Sequence, residues 1–477
     1  MNYRMRMLAA HRYQLRELLS DTTREQACFL LCSAAQGVDE AVLLVREVIA
    51  LESRDLRVHA IDQLSVEPAA MMRVARRAQQ SDTSVCMVHT HPGSAGSVWF
   101  SGADDWGNIR TFEFFHRLMP GRLHSCLVWD GALSVVAGRV YTASNCWHPI
   151  LDLTVVNDTR RHVFTDRLPS SDCPLQYDRQ ARLLGKEGQA QFSKLKIAIV
   201  GCGGISSVAA VQLVHAGVQD FDLIDFDIVD ETNLPRLIGA TKEDAKTEEN
   251  KLNVLSRYIL QHDTAATVRP YLSPVEAPEL LSVLVSADAI VCGTDDTTSR
   301  AFLNQLCHQY YVPILDMGAE FVTDDFGALR KEIGRANLMR PGTPCLACSH
   351  HLPSDVLAFE ALPPHMQEEQ REAGYFKGKA VPQPSMMIFN MQVAARGIQQ
   401  LVSWVTGVFE VPIYLYEHIH FFGLNTSAGL KAARKRSRSS CPFCGEDAML
   451  LGKGDGHRML VKPRLRNTQT FDNVEVK

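Results

Sequence analysis

The stretch from Lys196 to Asp227, KIAIVGCGGISSVAAVQLVHAGVQDFDLIDFD, limits the fold more than any other part of the chain. Ile197, Ala198, Ile199 and Val200 form a short apolar run of the kind buried inside a parallel sheet. Gly201, Gly203 and Gly204 follow at once. Glycine lets the backbone turn sharply and approach a phosphate closely. A helix is expected from near Ser206, and its unpaired N–H groups and positive dipole end favour an anion. The second strand, Phe221 to Phe226, ends in acid, with Asp225 placed to hold a ribose. This reads as an α/β chain binding a nucleotide by its phosphates. The third glycine of the fingerprint is here Ser206, and the turn alone leaves a dinucleotide oxidoreductase and an ATP-using enzyme level.

A chain of 477 residues implies two or three domains. Its net charge of −5 gives no reason to expect nucleic acid. No apolar run reaches the roughly eighteen residues of a membrane span. The start, MNYRMRMLAAHRYQLRELLS, is basic, lacks the apolar core of a secretion signal and reads as an amphipathic helix. Thirteen cysteines, scattered except for two close pairs, fit a reducing cytoplasm with free thiols and metal, not a disulfide framework.

Residues 1–150 read as one α/β domain, with CFLLCSAA and AVLLVREVIAL as strands and Pro68 to Gln80 as a helix. The strand from Ser84 runs into VHTHPGSAGSVWFSGADDWGN. His89 and His91 alternate by two, so both rings face one side of an extended strand. Pro92 ends that strand, and Ser101 can cap a helix with Asp104 in its first turn. Two imidazoles and a carboxylate form a catalytic zinc set with a fourth position left for water. Zinc lowers the pKa of that water, and a nearby carboxylate can take its proton.

HTHP followed by SGAD resembles the metalloprotease motif of JAB/MPN (JAMM) domains, zinc isopeptidases that cut after the C-terminal glycine of ubiquitin-like proteins. The resemblance implies His89, His91 and Asp104 as zinc ligands and Ser101 as a group polarising the scissile carbonyl. It also implies an upstream glutamate as general base. Glu25 in REQACFLLC fits that role, with Cys28 where glycine is common, and Glu47 is the second candidate. The spacer between Pro92 and Ser101 is slightly longer than in the commonest form of the motif, which bears on the substrate groove.

Residues 151–175 lose periodicity and read as a linker. In the following unit, 176–430, Arg179, Arg236 and Lys251 are cationic while Asp225, Asp227 and Asp295 are anionic around one sheet edge. A nucleotidyl-transfer site needs phosphate cations and a magnesium ligand; a nicotinamide site needs few of either. The set therefore favours ATP. YDRQ, GCGGISS, DFDIVDETNLPR, the lysine-led helix and GTDDTTSR together resemble the ubiquitin-activating superfamily, the ThiF/MoeB/HesA adenylyltransferases. The resemblance implies a Rossmann-like doubly wound domain. It implies Asp225 and Asp227 on the ribose side, Asn233, Arg236 and Lys251 on phosphates, and Asp295 on magnesium. It further implies that Arg179 reaches the nucleotide of a partner subunit, hence a homodimer.

Cys345-Leu-Ala-Cys348 and Cys441-Pro-Phe-Cys444 read as a structural zinc staple of four thiolates, found also in the activating family. Many activators carry a catalytic cysteine after the first pair, but none lies between Ser349 and Ser440 here. Ser385 is an alternative hydroxyl, or merely the start of a helix. Cys307 sits in an apolar helical pattern and reads as core. Residues 431–477, which open on the basic run KAARKRSR, read as a zinc-completing segment with a solvated arm and a loose tail. The whole implies a cytoplasmic bifunctional enzyme of a bacterial-type conjugation system, with a conjugating-enzyme partner and no nucleic-acid or membrane partner. It would adenylate a carrier's terminal glycine and hydrolyse the carrier's precursors or conjugates. Sulfur-carrier activation for cofactor synthesis and a non-catalytic scaffold are the other readings.

Overall fold

Tyr3, Met5 and Met7 alternate with Asn2, Arg4 and Arg6, a period of two that belongs to a strand. In the structure, a computed structural model, this segment is strand β1 (Asn2–Met7), and only Ala9–Leu18 of the expected N-terminal helix is helical. The structure describes residues 1–61, 64–142, 146–166, 173–324, 326–373, 384–411, 415–422, 429–434, 437–445 and 447–461. Strands β2 (Ala27–Gln36), β3 (Glu40–Ala50), β6 (Ser84–His91), β7 (His124–Asp130), β8 (Val136–Tyr141), β9 (Trp147–Val155) and β10 (His162–Phe164) join β1 in one sheet. A small hairpin, β4 (Leu56–His59) with β5 (Leu64–Val66), stands apart. The order is β1-β3-β2-β6-β7-β8-β9-β10, and β1 also pairs in parallel with β9, which closes the sheet on itself.

Alternation along β2 divides the first unit's core. Cys28, Leu30 and Cys32 face β1 and the helix Ala9–Leu18. Phe29 and Leu31 pack on Val74 and Ala75 of the helix Pro68–Ser81 and on Phe112 and Phe115 of the helix Gly102–Leu118.

The second sheet holds β11 (Lys196–Val200), β12 (Asp220–Asp225), β13 (Thr267–Leu272), β14 (Ala289–Cys292), β15 (Ile314–Thr323), β16 (Leu329–Met339), β17 (Leu415–His420) and β18 (Gly429–Arg434). Its order is β13-β12-β11-β14-β15-β16-β17-β18, parallel from β13 to β15 and antiparallel beyond. The apolar run in β11 is buried on both faces. Ile197 and Ile199 meet the helices Gly204–His215 and Met387–Thr406, while Ala198 and Val200 meet Phe302 and Leu303 of the helix Thr297–Tyr310. The chain leaves β11 for β12 on one side and returns to β14 on the other. That reversal opens a crevice at the carboxyl ends of β11 and β14.

Three segments and one side chain differ from the sequence reading. The expected linker 151–175 begins inside β9 and includes β10, because Leu153, Val155 and Phe164 are buried in the first core. The division at residue 430 cuts β18, so the start of the basic run is a paired strand, not a solvated arm. Residues 453–461 are built in: Asp455 accepts the Gln36 N–H at 2.8 Å, and Gln309 donates to the Gly454 carbonyl at 2.8 Å. Within the helix Lys251–His262, Leu252, Leu255 and Ile259 are buried, but Leu260 is turned to solvent.

The two sheets are joined through one core, in which Leu8, Val42, Leu44 and Val156 pack with Leu284, Ile290 and Tyr311. At its edge, buried Asp288 pairs with Arg4 at 2.7 Å and Arg161 at 2.8 Å and accepts the Lys196 N–H at 3.0 Å. Arg6 donates to the carbonyls of Val285 at 2.8 Å and Ala287 at 3.0 Å. Burial alone would raise the Asp288 pKa, but Arg4 and Arg161 outweigh it and hold the carboxyl below the usual range. Its contribution is therefore present above the ordinary carboxylate pKa of about 4 and is lost as pH falls below that. Asp288→Asn removes the charged partner of buried Arg161 and one of the two carboxylates on Arg4, and is expected to cost about 3–5 kcal/mol at neutral pH. Denaturant titrations from pH 7 to pH 3 should show the gap from wild type narrowing as the Asp288 carboxyl of the unfolded chain takes up its proton.

Candidate functional site

β6 puts His89 and His91 on one face, and Asp104 comes to them from the first turn of the helix Gly102–Leu118. His89 Nε2 lies 2.9 Å from Asp104 Oδ1, and His91 Nε2 lies 3.2 Å from Asp104 Oδ2. The three ligand atoms are all within 4.8 Å of one another. Ser101 caps the helix: its backbone N–H and hydroxyl donate to Asp104 Oδ2 at 2.6 and 2.8 Å, and its Oγ accepts the Asp104 N–H at 3.2 Å. Burial would raise the Asp104 pKa, yet His89 and His91 hold the carboxyl far below its usual range. Burial pulls the His91 pKa down, but Asp104 and Glu25 bring it above its ordinary value. Two neutral imidazoles and one carboxylate suit a zinc ion with an open position.

Glu25 precedes β2, whose Ala27 pairs with His89, and Glu25 Oε1 lies 3.9 Å from His91 Nε2. Glu47 instead pairs with Arg77 at 3.0 Å, beside Leu31, whose partner on β6 is Val85. It stands away from the histidines, and Glu25 is the nearer of the two carboxylates.

Sequence reasoning missed the groups that hold this constellation. Thr90, between the histidines, accepts the Gln26 N–H on its Oγ1 at 2.9 Å and donates its own N–H to the Gln26 carbonyl at 3.0 Å, fixing the chain next to Glu25. The spacer after Pro92 is pinned by buried Asp130, which accepts the Gly96 N–H at 3.3 Å, and by Val98 packed on Val128 and Val135. A Cβ on Gly131 would stand 2.6 Å from the Pro92 carbonyl oxygen. Gly131→Ala must therefore push the spacer outward. Zinc titration of the purified variant is expected to show affinity at this site reduced about tenfold or more.

The second constellation lies at the crevice. Gly201 turns at φ +80°, and a Cβ on Gly203 would meet nothing within 4 Å, so the turn is open to a ligand. Asp225 accepts the N–H groups of Cys202 and Asp227, so its carboxylate braces the turn. Burial raises its pKa. Asp227 is half-exposed and pairs with Lys251 Nζ at 2.9 Å. Arg236 lies against Gly204 and donates to the Thr232 carbonyl at 2.6 Å. Asn233 is buried beside it. Asp295 is exposed just past β14. Ser206 is fully buried against Gly293, where any Cβ would collide with its hydroxyl. Its hydroxyl is turned to the Gly293 backbone and not to solvent. Arg179 is exposed on the helix Asp178–Leu184, which buries none of its residues.

Glu360 gave no signal in sequence. Its carboxylate accepts the N–H groups of Thr297 at 3.1 Å and Thr298 at 2.7 Å, filling the start of the helix that follows Asp295. Ser385, just ahead of the helix Met387–Thr406, accepts from Asn390 Nδ2 at 3.3 Å, and Asn390 touches the Gly204 position. Cys307 is fully buried core.

Cys345, Cys348, Cys441 and Cys444 converge in the shared core. Cys345 and Cys441 sulfurs are 3.7 Å apart, Cys348 and Cys444 3.6 Å, and Cys441 and Cys444 3.7 Å. A tetrahedral zinc with bonds of ~2.3 Å sets its sulfurs about 3.8 Å apart. The Arg438 N–H donates to the Cys348 sulfur at 3.3 Å, a contact that steadies a thiolate. Cys441→Ser is expected to remove about one equivalent of zinc per chain by elemental analysis and to lower the melting temperature.

The profile of the ThiF family matches residues 177–443, more than half of the chain. The chain is similar to the SAMP-activating enzyme E1 of Haloferax volcanii, 24% identical over 198 residues that cover 42% of this chain and 63% of that protein. It is similar to the sulfur carrier protein ThiS adenylyltransferase of Bacillus subtilis, 27% identical over 166 residues, 35% of this chain and 46% of that protein. It thus spans less than two-thirds of the length of these relatives. Among solved structures, E. coli MccB with ATP aligns at a TM-score of 0.45 and 20% identity, covering 58% of this chain and 76% of that one.

Proposed function

Because the chain belongs to the ThiF family, we propose that its second unit adenylates the C-terminal glycine of a ubiquitin-like protein using ATP and Mg²⁺. A carboxylate oxygen of the glycine attacks the α-phosphorus, the bond to the bridging oxygen breaks, and pyrophosphate leaves with its electron pair. No proton need move in that step. The open turn at Gly201, Gly203 and Gly204 receives the phosphates at a helix start. Lys251, Arg236 and Asn233 flank them, and Asp227 lies on the ribose side of the turn braced by Asp225. Asp295 stands where it can hold magnesium, which neutralises charge on the phosphate oxygens. Arg179, exposed and unburied by its own chain, serves the nucleotide of a second copy in a homodimer. The convergence of Asp227, Lys251 and Arg236 on the open glycine turn carries this reading.

The first unit is assigned, by the same kind of inference, as a JAB/MPN-type zinc peptidase that trims the carrier or cuts its conjugates. His89, His91 and Asp104 would hold the ion, which supplies an acidified water and polarises the carbonyl. Glu25 takes and returns a proton, and Ser101 stands beside Asp104 where the scissile carbonyl would lie. Both units would act in the cytoplasm on one flexible glycine tail, with a conjugating enzyme as the acceptor's partner. Among the described residues no helix is long and apolar enough to cross a membrane. A sulfur-carrier substrate is the second reading, favoured by the relative named for ThiS and compatible with the lack of cysteine between Ser349 and Ser440.

Pyrophosphate exchange with a candidate carrier, run beside cleavage of a carrier–peptide fusion, separates the two activities. Asp295→Ala is expected to abolish exchange and leave cleavage. Glu25→Ala is expected to lower cleavage by about 10²-fold or more and leave exchange. Loss of both activities in either variant would contradict two separate sites.

A further inference from the structure

We propose that Cys126 is a positioning residue for His89, fixing the ring so that Nε2 is presented to the metal. The inference rests on the zinc reading of the first unit. His89 Nε2 faces Asp104, and on the other side of the ring Nδ1 lies 3.8 Å from Cys126 Sγ. Cys126 sits on β7, the strand paired with β6, two residues before Val128, the register partner of His89. His89 is 3% exposed and Cys126 is fully buried.

A neutral imidazole carries one ring proton. If Nε2 gives its lone pair to a metal, the proton is on Nδ1, and a buried N–H needs an acceptor. Sulfur accepts weakly, but a ring fixed by even a weak bond is preorganised for its metal. The sulfur stands as the acceptor where metal-bound histidines more often meet a carboxylate or carbonyl.

The test uses full-length protein and two replacements. Cys126→Val keeps the apolar bulk and removes the acceptor, while Cys126→Ser keeps an acceptor. Zinc affinity is read by competition with a chromogenic chelator, and the Co²⁺-loaded protein by its visible absorption. Cys126→Val is expected to bind the histidine-site ion about 10–100-fold more weakly and to shift the Co²⁺ bands. The four-cysteine ion should be unaffected. Cys126→Ser is expected to recover most of the affinity. If valine prevents folding, Cys126→Ala gives the same comparison with a cavity in place of excess volume. Unchanged affinity in the folded valine or alanine variant, or no recovery with serine, overturns the proposal. A Cys441→Ser variant that stays folded with its histidine site intact yet holds no zinc would instead overturn the zinc reading beneath it.

Discussion

Asp288 ties the molecule together. It begins the turn into β14, receives the backbone N–H that starts β11, and is held by one guanidinium from β1 and another from the chain following β9. A carboxylate taken out of water this far is tolerable only when both oxygens are occupied, as they are here. The consequence is geometric. The two central strands of the second sheet start from a point fixed by the first sheet, so their far ends, where the crevice opens, are referenced to it. Arg6 and the common apolar core extend the same junction.

Each site then follows from where its sheet stops. In the first unit the strand period aims His89 and His91 together, and a capped helix brings Asp104 against them. In the second, reversal of strand order between β11 and β14 leaves room above the glycine turn. The charged groups reach that room from three successive pieces of chain after β12 and β14. Neither site is formed from one element, and in both a side chain that supports the backbone also belongs to the proposed site: Asp104 in the helix cap, Asp225 under the turn.

What could be read in the sequence was local. Strand β11, the glycine turn and its helix are contiguous, so period and composition sufficed. The histidine pair and the CxxC pairs are short motifs whose spacing already states which side chains can meet. What escaped were contacts between distant positions. β1 resembles the start of a helix until its partners, β3 and β9, are known, and β9 looks like a linker because its strand neighbours lie far off in sequence. Thr90, Asp130, Gly131 and Glu360 act through backbone groups of other segments, which no periodicity reveals. Ser206, which stands where the fingerprint has its third glycine, is spent on packing against Gly293.

The four cysteines join positions 96 apart in the chain. Everything between them, including the segment that carries Glu360 and Ser385, is a closed excursion whose two ends are clamped at one point. Its helix Met387–Thr406 and β17 belong to the second sheet's packing, so only the part ahead of that helix can be lengthened without disturbing the core, and the added cost of doing so grows only logarithmically. Evolution could thus remodel the surface over the crevice, as a door is rehung on an unmoved frame, while the terminal turn around Gly454 stays docked against β2.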